Sequence, residues 1–463
     1  MGNIDSMQLA GILLTIAVFA AIGILSGKKI KTKSDYYVAG GRFGTISVAA
    51  TTCGMYVGGG AVIGTAQLAF TNGFSGLYFS IGCCMALVCS GVFFSGRIRS
   101  SGHETIQEMV RGEFGQTAGL MATLLGILGF YINCISQFFS GISLVGALFP
   151  GFSVLTASLI TAGLILVCVY MGGFLGMSLI NVIKTAILAA TVLIAAVFIL
   201  WSTSGLSSLA GALPEEHLTA FPRGMNQDLG NALSVMLGIM STQSTIQAIY
   251  AAKDNRSCKV GFVLGGLMLP VVGICCVLIG LYMRATAPEI PALQAFPQFI
   301  IMHTHGLVSG VILATTLIAV ASAGVSLVLG IASILVNNLY LRLKPQAGTD
   351  GQLLFSRGVI IAILVITVVI INIGASDAVL QYNFLSMGLR CTVLFLPMCA
   401  ALFLPSRVSR RFAIASIVLG PIALLLGKYV IPLPFDCIFL GLIVNGLIML
   451  LGVIDQKRRI TAD

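Results

Sequence analysis

The sequence is poor in charge, and poorest in negative charge. Asp and Glu total 15, and charged residues make up 9% of the chain, against roughly 25% in a soluble domain. That scarcity excludes a soluble fold of ordinary composition. Catalytic signatures are missing too. There is no Walker loop for an ATPase, and no GxSxG or HExxH motif for a hydrolase, so neither an enzyme nor an enzymatic cofactor is expected. The twelve cysteines show no CxxC or Cys/His ligand spacing and include the adjacent pairs Cys83-Cys84 and Cys275-Cys276; they read as small packing residues. His103, His217, His303 and His305 make no ligand set, and the last two fall in a loop where solvation is expected. Low-complexity tracts, heptads and short repeats are also lacking.

What remains is apolar. Hydrophobic residues reach 57% and mean hydropathy is +1.04. A helix needs about 20 mostly apolar residues to cross the hydrocarbon core. Apolar runs bounded by charge, Gly or Pro fall near 7–26, 45–70, 74–95, 117–149, 152–171, 177–202, 230–252, 260–283, 307–340, 354–374, 379–404, 412–431 and 435–454. The expectation is an all-α integral-membrane protein of about thirteen transmembrane helices.

The net charge of +10 does not imply nucleic acid, because the basic residues alternate by loop. With the N-terminus outside, cytoplasmic segments collect Lys28 to Arg42, Arg97, Arg99 and Arg111, then Lys253, Arg256 and Lys259. They continue with Arg342, Lys344 and Arg357, then Arg407, Arg410 and Arg411, then Lys457 to Arg459. The outer ends keep Arg223, Arg284 and Lys428. The positive-inside rule therefore predicts an N-out, C-in, multi-pass protein of a plasma membrane, of the bacterial cytoplasmic kind. The first run lacks a basic n-region and reads as a retained helix. The outer segments 203–229 and 284–306 hold Pro214, Pro222, Pro288, Pro291 and Pro297 and read as ordered caps.

Within the second run, Gly58-Gly59-Gly60 follows Thr51 to Val57. Three glycines in a helix interior cost about 1 kcal/mol each relative to Ala. Two readings stand: a broken helix whose freed carbonyls bind a cation at the midplane, or close helix packing in lipid.

Ser34-Asp35-Tyr36-Tyr37-Val38-Ala39-Gly40-Gly41-Arg42-Phe43-Gly44 resembles the sodium/solute symporter family. So do Gln243 and Gln247 followed by Ala251-Ala252-Lys253-Asp254, Tyr170-Met171-Gly172-Gly173, and Asn338-Leu339-Tyr340. The resemblance implies a LeuT-type fold with a 5+5 inverted-repeat core, one leading helix and two trailing helices. Its parts would be a leading helix and basic segment at 1–33, a first five-helix repeat at 34–202 and an outer loop at 203–229. A second repeat would span 230–404, and the trailing helices and tail 405–463. It implies secondary active, cation-coupled symport of a small polar or carboxylate-bearing solute by alternating access, with Na+ as the coupling ion. It places sodium ligands at Gly54, Val57, Ala319 and Ser322, with Ala323 standing where relatives carry a hydroxyl. Positions where sugar-transporting relatives hold Gln and Glu are Ala61 and Ser80 here, which disfavours sugar.

The sixth run departs from the family. Where relatives often have Thr-Asp-x-x-Gln, this chain has Ile180-Asn181-Val182-Ile183-Lys184. A lysine there costs roughly 2.5–3.5 kcal/mol on the lenient insertion scale and shares a helix face with Asn181. Either Lys184 replaces or modulates the cation, making a proton-coupled or sodium-independent transporter, or it snorkels to the inner surface. Arg390 either clamps a solute carboxylate or caps carbonyls of a bent helix. Thr242, Gln243 and Gln247, with Gln137, Gly59 and Gly60, are the remaining solute-binding candidates, interhelical glue being the alternative for the polar side chains. A channel or sensor is the competing class.

Overall fold

The computed structural model describes residues 5–27, 41–103, 105–170, 173–203, 205–346, 348–374 and 378–462. Lys28 to Lys33, most of the Ser34 to Gly44 motif, Met171, Gly172 and Asp377 lie outside them. Helix dominates: α1 (Ser6–Gly27), α2 (Thr45–Tyr56), α3 (Thr65–Asn72), α4 (Leu77–Cys89), α5 (Ser95–Ser101), α6 (Ile106–Phe114) and α7 (Gln116–Leu148) come first. Next are α8 (Val154–Tyr170), α9 (Gly173–Ser202), α10 (Met225–Met240), α11 (Gln243–Ala251), α12 (Asn255–Thr286), α13 (Ala295–His303) and α14 (Gly306–Leu335). The chain closes with α15 (Thr349–Asn372), α16 (Val379–Arg390), α17 (Leu396–Phe403), α18 (Arg410–Tyr429) and α19 (Cys437–Ala462).

Among the described residues, nine helical stretches are long and apolar enough to cross a membrane, and Ser6–Ile22 and Val154–Val169 are shorter apolar helices. Every expected run lies on helix. Two are interrupted, at Val57 to Gly59 between α2 and the π-turn Gly60–Gly64, and at Ser241-Thr242 between α10 and α11. Sequence reading missed α6, whose N-cap Thr105 accepts from Glu108 N at 3.1 Å; a short amphipathic helix lacks the long apolar run that marks a span.

Apolar side chains face outward along several helices, including Ile194 and Val197 on α9, Val365 and Val369 on α15, and Leu447 and Leu450 on α19. That is the surface lipid covers. Inside, glycines bring backbones together where apolar burial gives no drive. A Cβ at Gly261 would lie 2.9 Å from the Thr45 carbonyl, and one at Gly265 2.7 Å from that of Ala49. This seats α2 on α12.

Contacts between loops sort into two ends. At the basic end, Phe43 N donates to Ala251 O at 2.9 Å and Lys253 N to Phe43 O at 2.9 Å. Arg99 Nη1 donates to the carbonyls of Ile249 and Ala252 at 2.9 and 2.7 Å. These bonds join the start of the first broken helix to the finish of the second. At the opposite end the 203–229 segment folds onto the bundle. Gly73, at φ 56°, lies under the His217 carbonyl, and Tyr78 donates to Ala220 O at 2.7 Å. In the second cap, Ser143 Oγ donates to Leu293 O at 2.7 Å, and Phe296 and Phe299 are buried. His303, expected in solvent, instead stacks on Phe299 with centroids 4.6 Å apart and meets Tyr282 Oη at 3.2 Å.

Asp228 is fully buried beneath the first cap, accepting from Arg223 Nε and Nη2 at 3.1 and 2.8 Å and from Ser75 Oγ at 3.0 Å. Removing one partner of such a pair costs about 3 kcal/mol. Asp228→Asn is therefore expected to lower the Tm of the detergent-solubilised protein and to expose the 203–229 segment to protease. Unchanged cleavage would mean that this pair does not hold the cap.

Candidate functional site

The first break begins where the helix ladder fails. Gly58 N donates to Tyr56 O at 3.1 Å, in place of the Gly54 carbonyl that an unbroken helix would use. The second break repeats this: Thr242 N donates to Ile239 O at 3.0 Å, and Thr242 is extended at φ −101°, ψ 136°. Tyr56 ties the two together, its hydroxyl 2.7 Å from Thr245 Oγ1, which itself donates to Ile239 O at 2.8 Å.

Three groups of polar side chains surround the breaks. In the first, α7 and α16 close on the glycines. A Cβ at Gly59 would collide with Ser140 Oγ and lie 3.0 Å from Gln137 Oε1, and one at Gly60 would lie 2.6 Å from Asn383 Nδ2. Asn383 Nδ2 donates to Ser136 Oγ at 2.7 Å and to Val379 O at 3.2 Å. Gln137 is 5% exposed; among the described residues its Oε1 accepts no hydrogen bond, while its Nε2 reaches Asn133 Oδ1 at 3.4 Å. A buried acceptor left open beside a broken helix is where a ligand donor fits.

The second group lies on α2, α9 and α14. A Cβ at Gly54 would lie 2.7 Å from the Asn181 carbonyl, and one at Gly58 3.2 Å from Ala323 Cβ and 3.7 Å from the Ala319 carbonyl. Lys184, one turn beyond Asn181, is 1% exposed, and its Nζ donates to Ser322 Oγ at 2.5 Å; Ser322 Oγ in turn donates to Ala319 O at 2.9 Å. Lys184 therefore does not snorkel. It points into the cluster holding Gly54, Ala319 and Ser322, and among the described residues it has no carboxylate partner.

The third group sits at the second break. Arg390, 1% exposed, donates from Nη1 to Thr242 Oγ1 at 2.8 Å, from Nη2 to Ser386 Oγ at 2.9 Å and from Nε to Ser386 O at 3.4 Å. The guanidinium lies 4.9 Å from the Phe130 centroid. It caps a carbonyl of its own helix, just before the π-turn Cys391–Phe395, and it also reaches the broken helix through Thr242. Gln243 is buried at the start of α11, and Gln247 is half-buried a turn later.

Sequence reasoning missed Asn383, Ser386, Tyr56 and Thr245 as site residues. The signal for α16 was present, since Asn383, Ser386 and Arg390 recur at i, i+3 and i+7 in an apolar run.

The sodium:solute symporter family model matches residues 36–420. The uncharacterized symporter YwcA of Bacillus subtilis (strain 168) is 25% identical over 394 residues, covering 79% of this chain and 73% of that protein. The sodium/pantothenate symporter of Haemophilus influenzae is 22% identical over 386 residues, covering 80% and 79%. Among solved structures, a substrate-bound, outward-open Na+-coupled sialic acid symporter matches with a TM-score of 0.81 at 18% identity over 98% of both chains. A nucleobase-cation-symport-1 family transporter matches with a TM-score of 0.56 at 13% identity, over 93% of this chain and 96% of its own. The fold is the LeuT type.

If the glycines are needed for close approach, alanine at each should scale with the room available. Gly59→Ala is expected to cost about 1–3 kcal/mol, Gly58→Ala less, and Gly146→Ala, helical with open space around it, no stability. Thermal unfolding of the three variants in detergent checks the order; equal Tm values would remove the packing argument.

Proposed function

Because this chain belongs to the sodium:solute symporter family, a family of transporters and not of enzymes, we propose that it imports a small polar or carboxylate-bearing solute by alternating access, with Lys184 supplying the cation of its central site. Secondary active symport is the family's activity; the coupling ion and the solute are what this reading adds. Solute contacts are assigned to Gly59, Gly60, Gln137, Thr242, Gln243, Gln247 and Arg390, with Asn383 and Tyr56 beside them. The basic end faces the cytoplasm, as the positive-inside rule requires, leaving the N-terminus outside and the C-terminus inside. The membrane is a bacterial cytoplasmic membrane, in line with the bacterial relatives.

The observation that carries the coupling assignment is the Lys184 to Ser322 contact of 2.5 Å at a fully buried site. Sodium wants a small cage of oxygens. Here the Gly54, Val57 and Ala319 carbonyls and the Ser322 hydroxyl remain, but Ala323 contributes no oxygen and Asn181 no charge. An ammonium brings N–H donors where sodium would take oxygens, here to Ser322 Oγ, and unlike a guanidinium it can release its proton. The ion that crosses is then a proton carried on Lys184. Sodium is the second reading, favoured by the family and by the four oxygen donors that the resemblance assigns to it.

Counterflow and gradient-driven uptake in proteoliposomes, across amino acids, carboxylates, vitamins and sugars, separates the two. A proton gradient alone is expected to drive uptake in the native protein, with the drive abolished in Lys184→Met while counterflow exchange continues. Sodium-driven uptake that persists unchanged in Lys184→Met would sink the proton reading. Indifference to both gradients would sink symport.

A further inference from the structure

We infer that the solute is a monoanion and that one proton travels with it, so that a full cycle moves no net charge. The inference rests on the coupling role given to Lys184 and adds the charge of its cargo. Among the described residues only three charged side chains are buried: Lys184, Asp228 and Arg390. Asp228 is matched by Arg223 under the outer cap. The interior around the two breaks is left with two cations and no carboxylate.

Arg390 keeps its charge throughout, and its partners Thr242, Ser386 and Met387 are all neutral. Those bonds use Nε, both N–H groups of Nη2 and one of Nη1, which leaves a second Nη1 N–H for a ligand. A fixed cation in a low-dielectric interior is stabilised by an anion that completes its hydrogen bonds. The solute carboxylate is that anion.

Lys184 is the group that can change charge. The Cys53 thiol on α2 is the titratable neighbour that faces it. Against α9 also pack α1 and α14, which carry no titratable residue among those described, and α12. On α12, Arg256, Lys259 and Arg284 lie at the helix ends, with Cys258, Cys275, Cys276 and Tyr282 along its length. No fixed charge therefore opposes the loss of a proton from Nζ to water.

The balance follows. On the outer side Lys184 takes a proton and Arg390 takes the carboxylate. On the inner side the carboxylate leaves and Nζ gives its proton to water. The carrier returns with a neutral amine and an unchanged guanidinium, so one negative and one positive charge have crossed together. Leaving the proton on Lys184 during the return would instead strand two uncompensated cations in the core.

Two measurements on the full chain test this. The first is thermal stability with matched pairs of short acids and their amides: propionate and propionamide, lactate and lactamide, hexanoate and hexanamide. At least one carboxylate is expected to raise Tm while its amide does not. Arg390→Lys, which retains the charge, should bind that acid about tenfold more weakly, because an ammonium lacks the planar fork that holds Thr242 and Ser386 while presenting the remaining N–H. Equal stabilisation by an amide, or none by any carboxylate, overturns the anion assignment. The second measurement uses the stabilising acid in proteoliposomes, with protein-free vesicles subtracted. Uptake should follow an imposed pH gradient and ignore a valinomycin-set potential, with no current on solid-supported membranes. Uptake that follows both gradient and potential overturns charge balance but leaves proton coupling standing. Uptake that follows sodium and ignores pH removes the coupling reading itself.

Discussion

A helix broken inside a membrane frees backbone carbonyls and N–H groups in a medium that cannot hydrate them, and each unsatisfied group costs several kcal/mol. The chain meets this constraint twice, at Gly58 and at Thr242, and the rest of the core is arranged around meeting it. Gly58 N and Thr242 N tighten onto Tyr56 O and Ile239 O. Hydroxyls take other carbonyls: Ser241 Oγ that of Leu237 at 2.9 Å, Thr242 Oγ1 that of Gly238 at 2.8 Å and Thr245 Oγ1 that of Ile239 at 2.8 Å.

The two breaks are also mechanically joined. Tyr56 on the first helix meets Thr245 on the second, and at the basic end Phe43 pairs with Ala251 and Lys253 across the same two helices. Linked at both levels, the two broken helices form one hydrogen-bonded unit. Gln137 and Asn383 belong to α7 and α16, outside that unit, so a solute bound to all of them spans the surfaces that alternating access separates. Such a solute differs in its contacts between the two states, which is the condition for shifting the equilibrium between them.

Much of the architecture was legible because hydrophobicity and loop charge speak directly to membrane helices. The glycine run marked the first break, and the second fell beside Thr242 and Gln243, which the family resemblance had put among the solute-binding candidates. Lys184 and Arg390 stood out because a charge in an apolar run is rare. Which way Lys184 reached was not legible: a residue about seven positions into a span lies near both the surface and the midplane, and only the packing of α14 against α9 places Ser322 within reach. Asn383 was hidden for a different reason. A neutral amide in a helix has many partners open to it, and the one it uses depends on the crossing of α16 with α7, which no local pattern encodes.

Irregular backbone alone does not identify a functional break, as the π-turn Cys391–Phe395 makes plain. There the Thr392 carbonyl accepts from Asn445 Nδ2 at 2.6 Å; Asn445 is fully buried on α19, and Ser416 of α18 donates to its Oδ1 at 2.9 Å. The trailing helices thus answer the irregularity with a dedicated, fully bonded side chain, and Gly420 and Gly441 make room for the approach. At Gly58 to Gly60 the surrounding side chains are Gln137, with an open acceptor, and Asn383, whose donors are turned to Ser136 and Val379. At this break the neighbouring side chains spend their hydrogen bonds elsewhere instead of on the backbone. The same physical rule that makes Asn445 structural supports the solute role proposed for Gln137: one completes the backbone, and the other keeps an acceptor that no donor among the described residues fills.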